Sequence, residues 1–288
     1  MANTIFFSHF IKEFVKYSKA WNQIEAALAD ENVSATFVEA SKDIWVRDFM
    51  PFQCHDGKYL IYNYNPDYLH GKYRRYITNS REAFASIGGN PSADNCRTTD
   101  LVIDGGNMIK CVDRNGVNCV IMTTKVLHEN PGLSYHEILN RLEEALGAEV
   151  ILIPWDTAEP YGHADGMVRS LGPGKLLINC YQDYKDGNNT VQLEHIGHSI
   201  KKALEKRFDI ASLSFGSKHR KNSWCHLNYL EVGNAVLVPC GSIASDRPAL
   251  KQIGELTGRR AVPISMAKII AEGGALHCIS WASTSPIG

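Results

Sequence analysis

The apolar positions of this chain fall into two spacings that follow one another repeatedly. Steps of three and four residues put side chains on one face of a helix, whereas short aliphatic or β-branched runs suit buried strands. Trp21, Ile24 and Leu28 predict a helix near 20–30, leading to the strand Ser34–Glu39. A weaker helix near 80–88, carried by Phe84 and Ile87, leads to Leu101–Ile103. The clearest helix carries Ile138, Leu139, Leu142 and Leu146; Gly147 stops it and Glu149–Ile153 is its strand. Ile196, Ile200 and Leu204 then precede Ala211–Phe215, and Leu250, Ile253 and Leu256, stopped by Gly258, precede Ala261–Ile264. Helix starts recur every 55 to 60 residues or so, which is the mark of a structural repeat.

After four of the five strands comes a polar loop and then a hairpin with tight-turn residues: Asp56-Gly57, Asn115-Gly116, Gly172-Pro173-Gly174 and Gly233-Asn234. The last unit ends at Ile279–Ala282 without a partner strand, and the chain opens with an orphan strand, Thr4–Phe7. Pairing those two closes a ring. The expected architecture is therefore a single catalytic domain over 1–288, a five-bladed α/β propeller of pseudo-fivefold ββαβ repeats. An ordinary three-layer α/β sheet is the plainer alternative.

Composition narrows the partners. The 288 residues hold 30 Lys and Arg against 31 Asp and Glu, a net charge of -1, so nucleic acid is not expected to bind. No stretch of 18 apolar residues occurs, and the first seven residues lack the basic and apolar regions of a secretion signal. A cytoplasmic protein with no membrane partner is expected, and nothing bears on its oligomeric state. The eight cysteines are scattered with no Cys-x-x-Cys pair, so most should be small buried hydrophobes.

In a radial array the equivalent loops converge, and their residues belong together. They hold Trp45-Val-Arg47-Asp48-Phe-Met-Pro51, Ile103-Asp104-Gly-Gly-Asn107, Gly162-His163-Ala-Asp165-Gly166, Leu227-Asn228-Tyr229 and Gly273-Gly-Ala-Leu-His277-Cys278. Taken singly, Cys278 reads as core packing and Asp104 as a turn residue. Their shared place in the repeat joins Asp48, Asp104, His163, Asp165 and Cys278 into one candidate site. Gly105-Gly106 and Gly273-Gly274 would let backbone approach a ligand closely. Zinc is disfavoured, because a soft thiol among hard carboxylates suits no common metal well. His277 and Cys278 would point apart in a strand and make no chelate, and the same holds for Cys225 and His226.

A thiol nucleophile needs a base or a positive field, and a separate histidine can supply both. Carboxylates around a thiolate repel anionic substrates and suit a cationic one. A guanidinium is planar, charged and forked, so two carboxylates can hold it bidentately and fix its carbon. Asp48 and Asp165 are assigned to that clamp, Cys278 to attack, and His163 to protonating ammonia and then activating water. Neither a metal nor an organic cofactor is required.

These motifs, in this order, resemble the agmatine deiminase and Porphyromonas-type peptidylarginine deiminase family of the guanidine-modifying pentein superfamily. The resemblance runs from about Asp43 to Ile279. It implies the five-bladed fold, Cys278 as nucleophile, His163 as general acid and base, and Asp48 with Asp165 as guanidinium ligands. Asn228 resembles the family's active-site asparagine, while Asp104 stands where many members have a Glu that supports the histidine. Trp45, Arg47 and Asn107 complete the expected substrate-binding set. Lys72, Arg74 and Arg75 lie in an aromatic-rich loop, Tyr62–Tyr76, that could cover the pocket, and Arg74 is the candidate for a substrate carboxylate. A small agmatine-type substrate is favoured. Peptidyl or free arginine, an amidinotransferase and a binding module without chemistry are the alternatives.

Overall fold

The computed structural model describes residues 4–92, 94–156, 161–183, 190–284 and 287. Five three-stranded sheets carry the five repeats. The first joins β1 (Thr4–Ser8) to β2 (Ser34–Val38) and to the C-terminal strand Trp281–Ala282. The others follow in chain order as β3 (Phe52–Gln53), β4 (Tyr59–Asn63) and β5 (Cys96–Val102); β6 (Ile109–Val112), β7 (Asn118–Thr123) and β8 (Glu149–Ile153); β9 (Val168–Gly172), β10 (Lys175–Asn179) and β11 (Asp209–Leu213); β12 (Leu230–Val232), β13 (Ala235–Cys240) and β14 (Arg260–Ser265). Each of these four pairs its first two strands antiparallel and its second and third parallel. Parallel neighbours need a crossover, and a helix supplies it every time.

Those helices are α1 (Ser18–Asp30), α2 (Ser80–Ser86), α3 (Tyr135–Leu146), α4 (Thr190–Leu204) and α5 (Asp246–Thr257). In α1 and α3 the buried faces are the predicted ones, with Trp21, Ile24 and Leu28 in α1 and Ile138, Leu142 and Leu146 in α3, whereas in α5 Ile253 is buried but the predicted Leu256 is 39% exposed. Both glycine stops hold, with Gly147 at φ 62° and Gly258 at φ 64° in left-handed backbone that other residues seldom adopt. The middle strand of every sheet is almost entirely buried, including Val120 to Thr123 of β7. Covered on both faces, it reads as an unbroken apolar run instead of alternating.

The predicted strands are found with shifted limits. The unit read from the sequence, helix then strand then hairpin, lies out of phase with the sheets, because each hairpin joins the strand of the following unit. The longest shift is at β5, which starts at Cys96 although the apolar signal begins at Leu101. Ring closure follows the expectation: Ile5 pairs with Ala282 and Phe6 with Trp281, antiparallel. No described helix is long and apolar enough to cross a membrane.

Candidate active site

After the third strand of every sheet the chain enters a loop containing a helical turn. Four of these are Val46–Phe49, Gly105–Asn107, Ala164–Gly166 and Lys221–Leu227, and the fifth is a turn over residues 276–279. They carry Asp48, Asp104, Asp165, Asn228 and Cys278, so the equivalent loops of the repeat do converge. All five side chains are buried, Cys278 being 7% exposed and Asp165 1%.

Two adjoining groups of side chains form the centre. In one, His163 lies between two acids, with Nε2 3.0 Å from Asp104 Oδ2 and Nδ1 3.5 Å from Asp48 Oδ1. Asp104 therefore reaches the imidazole despite being one methylene shorter than glutamate. In the other, the Cys278 thiol donates to Asn228 Oδ1 at 3.3 Å and lies 3.7 Å from Asp165 Oδ2. Asn228 Oδ1 also accepts the backbone N–H groups of His277 and Cys278, at 2.9 and 3.2 Å, and so fixes the turn that presents the sulfur.

Charge is distributed unevenly. Burial opposes an imidazolium at His163, but Asp48 and the hydrogen bond to Asp104 outweigh it and hold His163 well above the ordinary histidine range. Burial, helped by Asp104 and Asp165, pushes the Asp48 carboxyl up to about 8 although His163 pulls the other way. Burial would also raise Asp165, yet the His277 hydrogen bond holds it below the usual carboxylate value. Burial, then Arg47 and Arg169, push His277 down to about 3, so it is neutral and donates from Nδ1 to Asp165 at 2.7 Å. The Cys278 thiol is pushed well above its normal value by burial and by Asp165 and Asp48. At neutral pH it is therefore held as a thiol.

The expectation that His277 and Cys278 point apart is corrected: they lie in a turn, not a strand, and both meet the Asp165 carboxylate. Nor do the glycine pairs only clear space for a ligand. A Cβ at Gly106 would meet Asp48 Oδ1 and His163 Nδ1, both at 2.7 Å, and one at Gly105 would overlap the Arg47 carbonyl and Tyr62 hydroxyl. Gly274 lies against the Trp45 ring, and Gly273, at φ +98°, against Tyr161. These glycines let the site's own side chains meet.

The remaining predicted residues are placed differently. Arg47 donates its backbone N–H to the Cys278 carbonyl at 3.0 Å and Nε to the His277 carbonyl at 3.3 Å, bracing the turn that carries Cys278. Asn107 Oδ1 accepts from the Thr123 backbone at 2.8 Å, tying its loop to β7. Arg74 lies in an exposed helical turn, Gly71–Tyr76, beside a surface depression lined by Lys42, Asn63, Thr78 and Glu82. Sequence reasoning missed Tyr68, whose hydroxyl donates to Asp104 Oδ2 at 3.2 Å, and Tyr161, edge-on to Tyr68 at 5.0 Å. The aromatic richness of the loop Tyr62–Tyr76 was the available signal.

A family model described as Porphyromonas-type peptidyl-arginine deiminase matches residues 3–283. The chain belongs to this family. A curated relative from Lactococcus lactis subsp. lactis (strain IL1403), named "Putative agmatine deiminase", is 28% identical over 218 residues, covering 65% of this chain and 58% of its own length. The chain thus spans little more than half the length of that relative. Among solved structures similar to this member of the peptidyl-arginine deiminase family, the agmatine deiminase of C. jejuni matches with a TM-score of 0.75 at 15% identity, covering 100% of this chain and 94% of its own. DDAH from Pseudomonas aeruginosa, in complex with citrulline, gives 0.60 at 15% identity over 98% and 99%. These likenesses establish the pentein fold that the five sheets embody.

Proposed function

We propose that the chain is a single-domain guanidine deiminase that converts a guanidinium to a ureido group and ammonia through a covalent intermediate on Cys278. One observation carries the reading: Cys278, Asp48 and the pair His163 and Asp165 come from three separate loops to one buried place, where burial holds Asp48 near 8 against the pull of His163. A guanidinium between Asp48 and Asp165 adds a second cation. Its charge draws the proton off Asp48 and lowers the thiol's cost of ionising.

The Cys278 thiolate then attacks the guanidinium carbon, forming a C–S bond, and the His163 imidazolium gives its proton to the departing nitrogen. Ammonia leaves and a thiouronium remains. Neutral His163 next takes a proton from water and the hydroxide adds to the same carbon; the C–S bond then breaks and the new hydroxyl gives its proton to the departing thiolate, leaving a neutral ureido product, the thiol and the imidazolium, while the proton first lost by the thiol has gone to solvent with the ammonia. Asp104 holds His163 in orientation throughout, and Asn228 and Arg47 hold the nucleophile turn.

An agmatine-type small substrate is favoured over one bearing a carboxylate, since Arg74 lies in an exposed turn and lines a surface depression to which Cys278, His163 and Asp165 do not contribute. The curated relative's printed name points the same way. The test is to incubate the protein with agmatine, arginine and short arginine peptides and measure ammonia and ureido product. Turnover of agmatine foremost is expected, with Cys278→Ser reducing it by at least about 1000-fold. Turnover that survives Cys278→Ser, or none on any guanidine, would overturn the reading.

A further inference from the structure

A buried lysine that the proposed chemistry does not use lies just outside the site. The Lys125 side chain is only 2% exposed, and its Nζ lies 2.6 Å from both carboxylate oxygens of Asp67 and 3.7 Å from Glu129 Oε1. An ammonium taken out of water is costly unless well paired, so this contact pins Asp67. Asp67 begins the helical turn Asp67–Leu69, and the next residue is Tyr68. The Tyr68 hydroxyl donates to Asp104 Oδ2, the same oxygen that receives His163 Nε2, while Asp104 Oδ1 is buried without a partner. The Tyr68 ring also stands edge-on to His163, 6.2 Å between centroids.

We infer that Tyr68 is a positioning residue that tunes His163 by sharing Asp104 Oδ2, and that the Lys125–Asp67 pair holds Tyr68 in place. The inference rests on His163 carrying protons in the proposed reaction. A donor on a carboxylate disperses its negative charge and weakens its hold on a neighbouring imidazolium. Burial, with Asp104 and Tyr64, keeps the Tyr68 phenol well above its usual range, so it remains a donor at working pH. His163 faces Asp48, Asp104 and Asp165, and Asp104 is faced further by Glu129, Tyr62 and Tyr68. Tyr68 is the side-chain donor that Asp104 Oδ2 shares with His163.

Two readouts test this. Titration of His163 in protein labelled with 13C at histidine Cε1 should place its midpoint at least about half a pH unit higher in Tyr68→Phe than in wild type. Asp67→Asn should move it in the same direction, and the double variant no further than the larger single change. On agmatine, the alkaline limb of kcat should move upward equally while KM changes less than about threefold. Glu129→Gln as background should leave the Tyr68→Phe shift in place. An unmoved His163 midpoint in Tyr68→Phe, or a Tyr68→Phe effect on KM alone, overturns the inference. If no guanidine is turned over but the His163 midpoint shifts as stated, the deiminase reading fails and the Tyr68–Asp104–His163 coupling stands.

Discussion

Asp48 is the carboxyl beside His163 that burial lifts to about 8, and this sets how ligand affinity should depend on pH. Below that value Asp48 carries a proton that a cationic guanidine must expel, so affinity should rise with pH by up to about tenfold per unit and level off above it. Calorimetric binding to Cys278→Ser protein measures this, and Asp48→Asn should flatten the profile while weakening binding overall. Gly106 carries a second prediction. The Cβ of Gly106→Ala would come within 2.7 Å of both Asp48 Oδ1 and His163 Nδ1, so the substitution must displace them. A loss in kcat/KM of about 100-fold is expected with little change in circular dichroism. The convergence of Asp48, Asp104, Asp165 and Cys278 was legible because their loops occupy equivalent places in a repeat, and His163 comes with Asp165 in the same loop. Tyr68 and His277 were not, since one reaches in from the segment after a hairpin and the other takes its direction from a turn that no periodicity reveals.

Among the elements, α3 announces itself most fully because its ends are as informative as its middle. Ser134 Oγ accepts from the Glu137 backbone and Glu137 Oε2 accepts from the Ser134 backbone at 2.8 Å, a reciprocal cap. Ser134→Ala should cost about 1 kcal/mol, seen as a lower denaturation midpoint with unchanged activity. By contrast, the start of β5 was hidden. Cys96, Arg97 and Thr98 start the strand because β4 offers them parallel partners in Tyr59, Leu60 and Ile61, with an irregularity before Val102 meets Asn63, and no apolar run marks them in the sequence.

At the scale of the whole molecule, closure rests on few residues. Trp281 is 2% exposed, donates Nε1 to the Pro51 carbonyl at 2.7 Å, and packs edge-on to Phe6 at 5.3 Å between ring centroids. Trp281→Ala should cost about 3–5 kcal/mol. Deleting the residues after Ile279 should destabilise more, since the pairing with β1 goes too; thermal melting distinguishes the two, and wild-type melting of the truncation would count against closure. The closed repeat was readable from two orphan strands at opposite ends, whereas the phase between sequence unit and sheet was not, because a strand's partner is chosen in space.

The pairing of Ile5 with Ala282 has a temporal side. On the ribosome, four sheets can form from neighbouring stretches as each emerges, but the first must wait until residue 282 has been made. Contacts so distant along the chain are slow to form, so the N-terminal sheet should be the last to gain protection in pulsed hydrogen exchange during refolding. Until then β1 presents an open edge, and unwanted strand pairing is most expected in that interval.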